Sequence, residues 1–366
     1  MALAGACGRR SGAGFAGYAL IATSGEKTIS VVDLADFRLL KQVPVGGAPQ
    51  AILGRGPERC YVLTPDTGSV HAVGNAFTEV MTRKLADHIG GFALTPDGKH
   101  LLAIARGTQE LVEAETASLR VTNRWKLSGQ PVALDVSPGG TAAISTGEGG
   151  TVELIDRKTG RQARKDLRTE LGGVRFRADG KLLVAADYGG QTLTALNVPD
   201  LQVMVQLPLA MTPQNLCFNS DGGQLFVSGK GMDGIAIAFP YLPLEVEQTV
   251  LGGRDPGVMA CSADPAYLFV ASASGSDVSI LDIGRRKMIG IVEVGQDPGF
   301  VAITPDDQYA LVLNRGSGDM AVIHIASIQA KLGDAAKMRG KALASLFTML
   351  PVGSHPVQAT IIPKAV

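Results

Sequence analysis

A repeat of about 42 residues constrains the fold of this chain more than any other feature. Each unit opens on a Pro or Gly, followed by a short apolar run, a turn such as Thr-Pro-Asp-Gly at 95–98, and a second apolar run. Asp-Gly readily adopts the positive φ angles of a tight hairpin, so each unit should join two antiparallel strands. The opening residues are spaced 42, 40, 42, 40, 43, 42 and 58 apart, and they are Pro49, Gly91, Pro131, Gly173, Pro213, Pro256, Pro298 and Pro356. Such an even period predicts a radial array of similar units.

Each unit has room for four short strands, which we name A to D. Strand A follows the opening residue and strand B follows the hairpin, as at 182–186. Strand C follows a Gly-rich loop, as at 278–282, and strand D leads into the next unit. Val, Ile and Leu dominate these runs together with small residues, which is typical of sheets packed on both faces.

The two ends of the chain complement each other. The first B-C-D set, at 18–45, has no strand A before it, and the last strand A, at 356–362, has no B-C-D set after it. Joining them closes a ring and removes the open edges of a linear array. The sequence therefore predicts an all-β fold, a single closed β-propeller of four-stranded blades over 15–366. Eight blades are favoured, and seven is the alternative because the repeat at 50–85 is weak.

Composition excludes several classes of protein. The 366 residues carry 34 basic and 34 acidic side chains, so the chain lacks the positive charge of a nucleic-acid binder. Its apolar runs are far shorter than a membrane span, and 4 Cys are too few for a disulfide scaffold. Common metal, phosphate-loop and serine-hydrolase motifs do not occur. We therefore expect no metal, no cofactor, no nucleic-acid partner, no transmembrane span and a monomeric chain.

The repeats resemble those of the YVTN family of bacterial β-propellers. The resemblance covers roughly 18–362 and rests on the Tyr/Leu-Val strand B, the Val-x-Val-Ile-Asp-like strand C, the Val-x-Val-Gly exit and the Pro-x-x-x-x-x-Ser/Thr-Pro-Asp-Gly hairpin. The Gly-His and Trp-Asp dipeptides of WD40 blades do not occur. The resemblance implies an exported protein, periplasmic or at the cell surface. It implies no single chemistry, because related propellers include lactonases, haem-d1 enzymes and proteins without known activity.

In such a propeller the D–A and B–C loops share one face, around the mouth of a central channel. Concave mouths with converging polar groups are favoured ligand sites. Strand A is charged at Asp135 and Arg175, where most blades have a small residue, and these two are either neighbours-but-one around the ring or a paired bridge. The ligand-binding candidates at the mouth are His88, Asp135, Arg175, Gln214, Arg254, Asp255, Asp297 and His355. The alternative is a solvated loop face around a water-filled channel.

Three functions fit these features. The first is a non-catalytic exported module that binds or scaffolds a protein, glycan or small molecule through the loop face and channel mouth. The second is a lactonase-like hydrolase, in which a carboxylate, an Arg and a His would converge to polarise the lactone and activate water. The third is an accessory protein of a periplasmic redox or cofactor pathway. No catalytic residue can be named, and each of the 5 His is predicted to be a surface or capping residue.

The segment 1–14 is either a flexible tail or the remnant of an export signal. Small residues precede Cys7, as in a bacterial lipobox, but Leu3 stands one position too far away and the basic and long apolar regions are missing. A lipobox would make Cys7 the lipidation site and give the protein a lipid anchor. A true start at Met1 would instead leave the protein in the cytoplasm.

Two Cys lie on consecutive A strands. Cys217 and Cys261 are one register apart along these strands, which predicts that their side chains point to opposite sheet faces. A disulfide requires its two Cβ atoms to approach closely. We therefore expect two separate, buried free thiols.

The last unit contains an insertion at about 327–349. Its apolar residues fall near helical spacing, and it holds an excess of Lys and Arg. We expect a helix from Ala335 that covers the outer edge of the blade. The alternative is a basic amphipathic helix that binds a membrane surface or a partner.

Overall fold

The computed structural model describes residues 14–56, 59–74, 77–147, 149–241, 245–328 and 346–364. Within these ranges the strands form eight antiparallel sheets of four strands each. The chain begins with β1 (Gly17–Thr23), β2 (Thr28–Asp33) and β3 (Arg38–Pro44). Blade 1 comprises β4 (Ala51–Arg55), β5 (Arg59–Thr64), β6 (Ser69–Gly74) and β7 (Val80–Lys84). Blade 2 comprises β8 (Ile89–Leu94), β9 (His100–Ala105), β10 (Glu110–Glu115) and β11 (Val121–Lys126).

The next three blades repeat this order. Blade 3 comprises β12 (Pro131–Val136), β13 (Thr141–Thr146), β14 (Thr151–Asp156) and β15 (Gln162–Asp166). Blade 4 comprises β16 (Leu171–Phe176), β17 (Leu182–Asp187), β18 (Thr192–Asn197) and β19 (Val203–Pro208). Blade 5 comprises β20 (Thr212–Phe218), β21 (Leu225–Lys230), β22 (Gly234–Phe239) and β23 (Glu245–Leu251).

The remaining strands complete the ring. Blade 6 comprises β24 (Pro256–Cys261), β25 (Tyr267–Ser272), β26 (Asp277–Asp282) and β27 (Lys287–Glu293). Blade 7 comprises β28 (Pro298–Ile303), β29 (Tyr309–Asn314), β30 (Asp319–His324) and β31 (Leu346–Pro351). The last strand, β32 (Pro356–Pro363), joins β1–β3 in blade 8. Outside the strands, a single 3₁₀ turn (Pro65–Thr67) and a short helical turn at 325–328 occur in the described residues.

The ring is closed, as predicted, by both ends of the chain. Strand β32 pairs antiparallel with β1, with Ala19 opposite Ile361. Just after it, the Lys364 Nζ lies 2.9 Å from the Asp33 Oδ2, and the Lys364 N–H donates to the Ala16 carbonyl. Each A strand also contacts the A strand of the next blade, from β4 through β8, β12, β16, β20, β24 and β28 to β32 and back to β4. The propeller therefore has eight blades, and the weak repeat at 50–85 forms a complete one.

Two opening residues are placed differently from the prediction. Gly91 and Gly173 are each the third residue of their strand, so Ile89 and Leu171 are the structural equivalents of the opening Pro. Strand A therefore begins at a branched residue in blades 2 and 4, and the Gly two positions later was mistaken for its start. Strands β8 and β16 keep the six-residue length of β12, β24 and β28 despite this sequence difference.

The hydrophobic core lies between blades, in separate layers. In β1, Leu20 and Ala22 pack toward blade 1, whereas Ala19 and Ile21 pack toward blade 7. Successive side chains of a strand point to opposite faces, so one strand contributes to two cores. This confirms sheets that are packed on both faces.

Part of the predicted helical insertion is a strand. Leu346 and Phe347 belong to β31, where Leu346 pairs with Ile323 and the Phe347 ring lies 5.4 Å from the Phe37 ring. Their spacing also fits a strand, and the open edge of β30 needed a partner. Residues 329–345, which include the predicted helix start at Ala335, lie outside the described residues.

The D–A and B–C loops approach each other so closely that some positions require Gly. Gly68 has a φ of 65°, and a Cβ added there would lie 1.6 Å from the Ala86 carbonyl oxygen. The Gly68 carbonyl also accepts the Leu85 N–H at 2.9 Å. Gly160, in the hairpin between β14 and β15, has a similar φ of 73° but open space around its Cβ position.

Replacing Gly68 should therefore cost more stability than replacing Gly160. We expect Gly68→Ala to lower the free energy of unfolding by about 3 kcal/mol, from the positive φ and the backbone clash together. Gly160→Ala should lose only about 1 kcal/mol, because it carries the φ penalty alone. Denaturant unfolding of both variants measures the difference. Equal losses of unfolding free energy would show that the loop of Gly68 can move away from Ala86 without cost.

Candidate functional site

Four of the predicted site residues occupy equivalent positions on the loop face. His88, Asp255, Asp297 and His355 each stand directly before strand A, with positive φ angles of 52°, 46°, 53° and 54°. The carbonyl of each accepts a backbone N–H from a B–C loop, for example Arg106 N–H to His88 at 2.8 Å. The D–A and B–C loops therefore share one face, which we call the mouth.

A cavity of about 430 Å³ lies in the mouth beside blade 2. His88, Arg106 and Gln130 line it together with Pro65 and Asp66. His88 is thus brought next to polar side chains of three consecutive blades. The cavity is open to solvent, and ligand binding at His88 stays a prediction.

The other loop residues of the predicted set are placed separately. Asp297 forms an ion pair with Arg315 at 2.9 Å. The Asp255 N–H donates to the Asp233 Oδ1, and the Arg254 carbonyl accepts the Ser272 hydroxyl. Arg254 and His355 are exposed. These four residues line neither the mouth cavity nor the channel cavity described next.

A second cavity of about 270 Å³ lies within the channel, and we call it the channel cavity. Five consecutive A strands, from β12 to β28, form its wall. Its polar side chains include Arg175 and Gln214, and its apolar side chains include Met259 and Phe300. The Arg175 side chain is 52% exposed although it lies inside the ring.

Arg175 and Asp135 form a bridge between neighbouring blades. The Arg175 Nη1 lies 3.4 Å from the Asp135 Oδ1, and the Phe176 N–H donates to the Asp135 Oδ2 at 2.7 Å. The paired bridge is therefore correct, and the neighbours-but-one alternative is wrong. Asp135 and Arg175 are the fifth residues of β12 and β16, so they lie near the A–B hairpins at the opposite end from the mouth. Their assignment to the mouth is corrected, because side chains along strand A enter the channel at successive depths.

The bridge follows a contact that recurs around the channel. Strand A is the inner edge of each sheet, so half of its backbone N–H groups have no strand partner. The Thr360 Oγ1 accepts the Gly54 N–H of the next blade at 2.9 Å. Thr360 thus corresponds to Asp135, and Gly54 corresponds to Phe176. Counted from the residue that opens each unit, which is Pro49 for blade 1 and Leu171 for blade 4, the fifth residue of one A strand reaches the sixth residue of the next.

Cys217 and Cys261 occupy these same two positions, counted from Pro213 and Pro256. Their sulfur atoms lie 3.6 Å apart, so the prediction of opposite faces is wrong. That prediction applied the alternation of a single sheet to two strands of different sheets. Neighbouring blades pack face to face, so a one-residue offset brings the side chains together. No sequence motif marks this contact, and only the shared spacing with Asp135 and Phe176 could have indicated it.

One His differs from its prediction. His71 is buried rather than at the surface, and its ring nitrogens lie 3.0 Å from the Thr64 hydroxyl and 2.8 Å from the Thr82 hydroxyl. Burial lowers the pKa of His71. His71 therefore links strands B, C and D of blade 1 as a neutral structural group.

The residues described by the structure limit the chemistry of the site. They contain no cluster of three or more His, Cys, Asp or Glu side chains that would hold a metal ion. Asp135 and Arg175 meet in the channel, whereas His88 lies at the mouth, where Asp66 and Arg106 line the same cavity. A carboxylate, an Arg and a His therefore share that cavity, and the lactonase alternative stays a prediction. Within the same ranges, no helix has the length and apolar character to cross a membrane.

No family model and no curated protein sequence matches this chain. Solved structures share its fold. The structure of dihydro-heme d1 dehydrogenase NirN in complex with DHE is 14% identical, covers 94% of this chain and 74% of its own, and has a TM-score of 0.78. Kuenenia stuttgartiensis hydrazine synthase is 15% identical, covering 76% of this chain and 96% of its own at a TM-score of 0.56. A functionally unknown protein from Desulfotomaculum acetoxidans is 13% identical. The match covers 84% of this chain and 100% of that protein, with a TM-score of 0.62. At these identities the likeness shows a β-propeller fold alone.

Burial dominates the titration of Asp135. It raises the pKa of the carboxyl above its ordinary value, and Arg175 and the Phe176 N–H offset only part of the rise. The folded state therefore binds a proton more tightly than the unfolded state, so stability is lost as pH rises from the ordinary Asp pKa through the raised one. Asp97 behaves oppositely, because hydrogen bonds from Thr95 and Lys99 lower its pKa.

The variant Asp135→Asn should remove this loss while keeping an acceptor for the Phe176 N–H. We expect its free energy of unfolding, relative to the wild type, to increase from about pH 3 to about pH 7. For the control Asp97→Asn the same difference should decrease over this range. Urea unfolding at a series of pH values measures both. If the free energy of unfolding of Asp135→Asn, relative to the wild type, decreased instead, the Arg175 charge would have a larger effect on the pKa of Asp135 than burial has.

Proposed function

We propose that this protein is a binding module whose channel cavity takes a small molecule with an anionic group and an apolar, ring-sized body. The observation that carries the proposal is the half-exposed Arg175 guanidinium in a cavity whose wall also includes the apolar side chains of Met259 and Phe300. Ligand pockets typically combine apolar walls with a few placed polar groups. This proposal specifies the first of the three functions and moves its site from the mouth into the channel.

Arg175 retains hydrogen-bonding capacity for a ligand. A guanidinium has five N–H donors in a planar fork, which fits a carboxylate or a phosphate. Its contact with Asp135 is a single one at 3.4 Å, and burial disfavours the charged form of that carboxyl. The positive charge is therefore only partly neutralised. Gln214 lines the same cavity and supplies an amide that can orient a second polar group.

The size of the cavity restricts the ligand. Pockets for drug-sized ligands span about 300–1,000 Å³, and the channel cavity is about 270 Å³. A one-ring carboxylate fits this volume, whereas a macrocycle such as a haem does not. The likeness to NirN concerns the fold, so it does not carry that protein's ligand over to this chain.

We also propose that this chain is a YVTN-type propeller and that it is exported to the periplasm or the cell surface. Both proposals are supported by the repeat motifs, which agree with the observed blades. Cell fractionation of the native host tests the location, with a cytosolic enzyme as the control marker. Recovery of the protein with the cytosolic marker would contradict export. Cys7, the lipidation candidate, lies outside the described residues.

Binding is tested with benzoate, phthalate and cinnamate, using benzamide as the neutral control. We expect saturable binding of at least one carboxylate by calorimetry and none of benzamide. Arg175→Gln should weaken that binding at least about tenfold, because a charge-assisted hydrogen bond contributes about 1.5–3 kcal/mol. The matched control Arg285→Gln alters an exposed Arg in the turn between β26 and β27 and should bind like the wild type.

Loss of Arg175 also removes the partner of a buried carboxyl, which by itself lowers stability. The double variant Arg175→Gln, Asp135→Asn removes the cation without leaving that carboxyl, and it should fold and still bind weakly. Failure of all three carboxylates to bind would contradict the proposal. Equal binding by the wild type and the double variant would show that the ligand lies elsewhere.

A further inference from the structure

Two thiols from neighbouring blades touch in the wall of the channel. The sulfur atoms of Cys217, on β20, and Cys261, on β24, are 3.6 Å apart, and both thiols are free. A disulfide bond is about 2.05 Å long. The sulfurs therefore need to approach by only about 1.5 Å. The two A strands are edges of separate sheets with no ladder between them, so a small shift does not break strand pairing.

The two thiols have different access and different acidity. Both thiols are partly exposed and pack against the core between blades 5 and 6, but only Cys217 lines the channel cavity, together with Arg175. The hydrogen bond from Cys261 lowers the pKa of the Cys217 thiol, Arg175 adds to this effect, and burial opposes it. The same hydrogen bond and burial raise the pKa of Cys261. An accessible, acidified thiol beside a second thiol is the arrangement of an attacking and a resolving Cys.

We propose that Cys217 and Cys261 form a redox-active pair that exchanges with low-molecular-weight disulfides entering the channel cavity. The Cys217 thiolate attacks one sulfur of the disulfide R–S–S–R, forming a mixed disulfide and releasing one thiolate RS⁻. Cys261 then loses its proton and attacks the Cys217 sulfur, which forms the Cys217–Cys261 bond and releases the second RS⁻. The protein loses two electrons and two protons, and R–S–S–R becomes two R–SH. This site does not depend on the proposed carboxylate ligand.

Cys60 supplies an internal comparison. It is buried in β5, and burial raises its pKa to about 12. A thiol with so little thiolate reacts slowly with disulfides. The contrast between Cys60 and the Cys217–Cys261 pair therefore separates a site-specific reaction from general oxidation of the protein.

The test uses the reduced full chain with Cys7→Ser, since Cys7 would react independently, and 2-hydroxyethyl disulfide, a neutral disulfide small enough for the channel cavity, as the probe. The reaction is stopped with acid, free thiols are alkylated, and peptides are mapped by mass spectrometry. We expect the three remaining thiols to fall to one, Cys60, with a peptide pair linked through Cys217 and Cys261. The pair should react at least about tenfold faster than Cys60. Circular dichroism during the reaction verifies that the protein stays folded.

Single variants in the same background test the assigned roles. Cys261→Ser should accumulate a 2-mercaptoethanol adduct on Cys217, because no resolving thiol remains. Cys217→Ser should accumulate at least about tenfold less adduct on Cys261. Serine is close in size to Cys, and unchanged melting temperatures verify that both variants fold. The proposal is overturned if the linked peptide forms only after unfolding, or if both variants form adducts at equal rates.

Discussion

The pairing of β1 with β32 is the constraint on which the rest of this structure depends. Every blade buries both of its faces against neighbours, so a missing neighbour would expose an entire apolar layer. In blade 8 the two chain ends supply one sheet together, and this places β1 between blade 7 and blade 1. The side chains of Ala19 and Ile21 then complete one core, and those of Leu20 and Ala22 complete the other.

Closure also determines what happens at the inner edge of each sheet. The A strands form a ring without forming ladders with one another, so their inward N–H groups need other partners. Side chains at the fifth position of strand A supply some of them, as Asp135 and Thr360 do for Phe176 and Gly54. The same position in blade 5 holds Cys217. A structural requirement of the channel wall therefore brings together both the Asp135–Arg175 bridge and the two thiols.

The polar groups of this propeller are divided between two ends. The mouth holds His88 with Arg106 and Gln130, all on loops that the backbone bonds between D–A and B–C loops keep together. The deeper channel cavity holds Arg175 among apolar side chains and the amide of Gln214, on strands rather than loops. Groups on strands are held in place by the packing of whole blades. Both inferences about chemistry therefore concern the channel rather than the loop face.

The sequence by itself determined the four-stranded blades and the closure of the ring, and it favoured eight blades over seven. Hairpin turns, strand periodicity and the even spacing are local properties, and the unmatched segments at 18–45 and 356–362 leave one economical solution. The predicted site was less accurate because it depends on contacts between blades. The relative offset of two A strands follows from how whole sheets twist and pack, and no residue near Cys217 encodes the position of Cys261. Only the tertiary structure decided that Asp135 meets Arg175 in the channel, that the two thiols touch, and that Phe347 completes a strand.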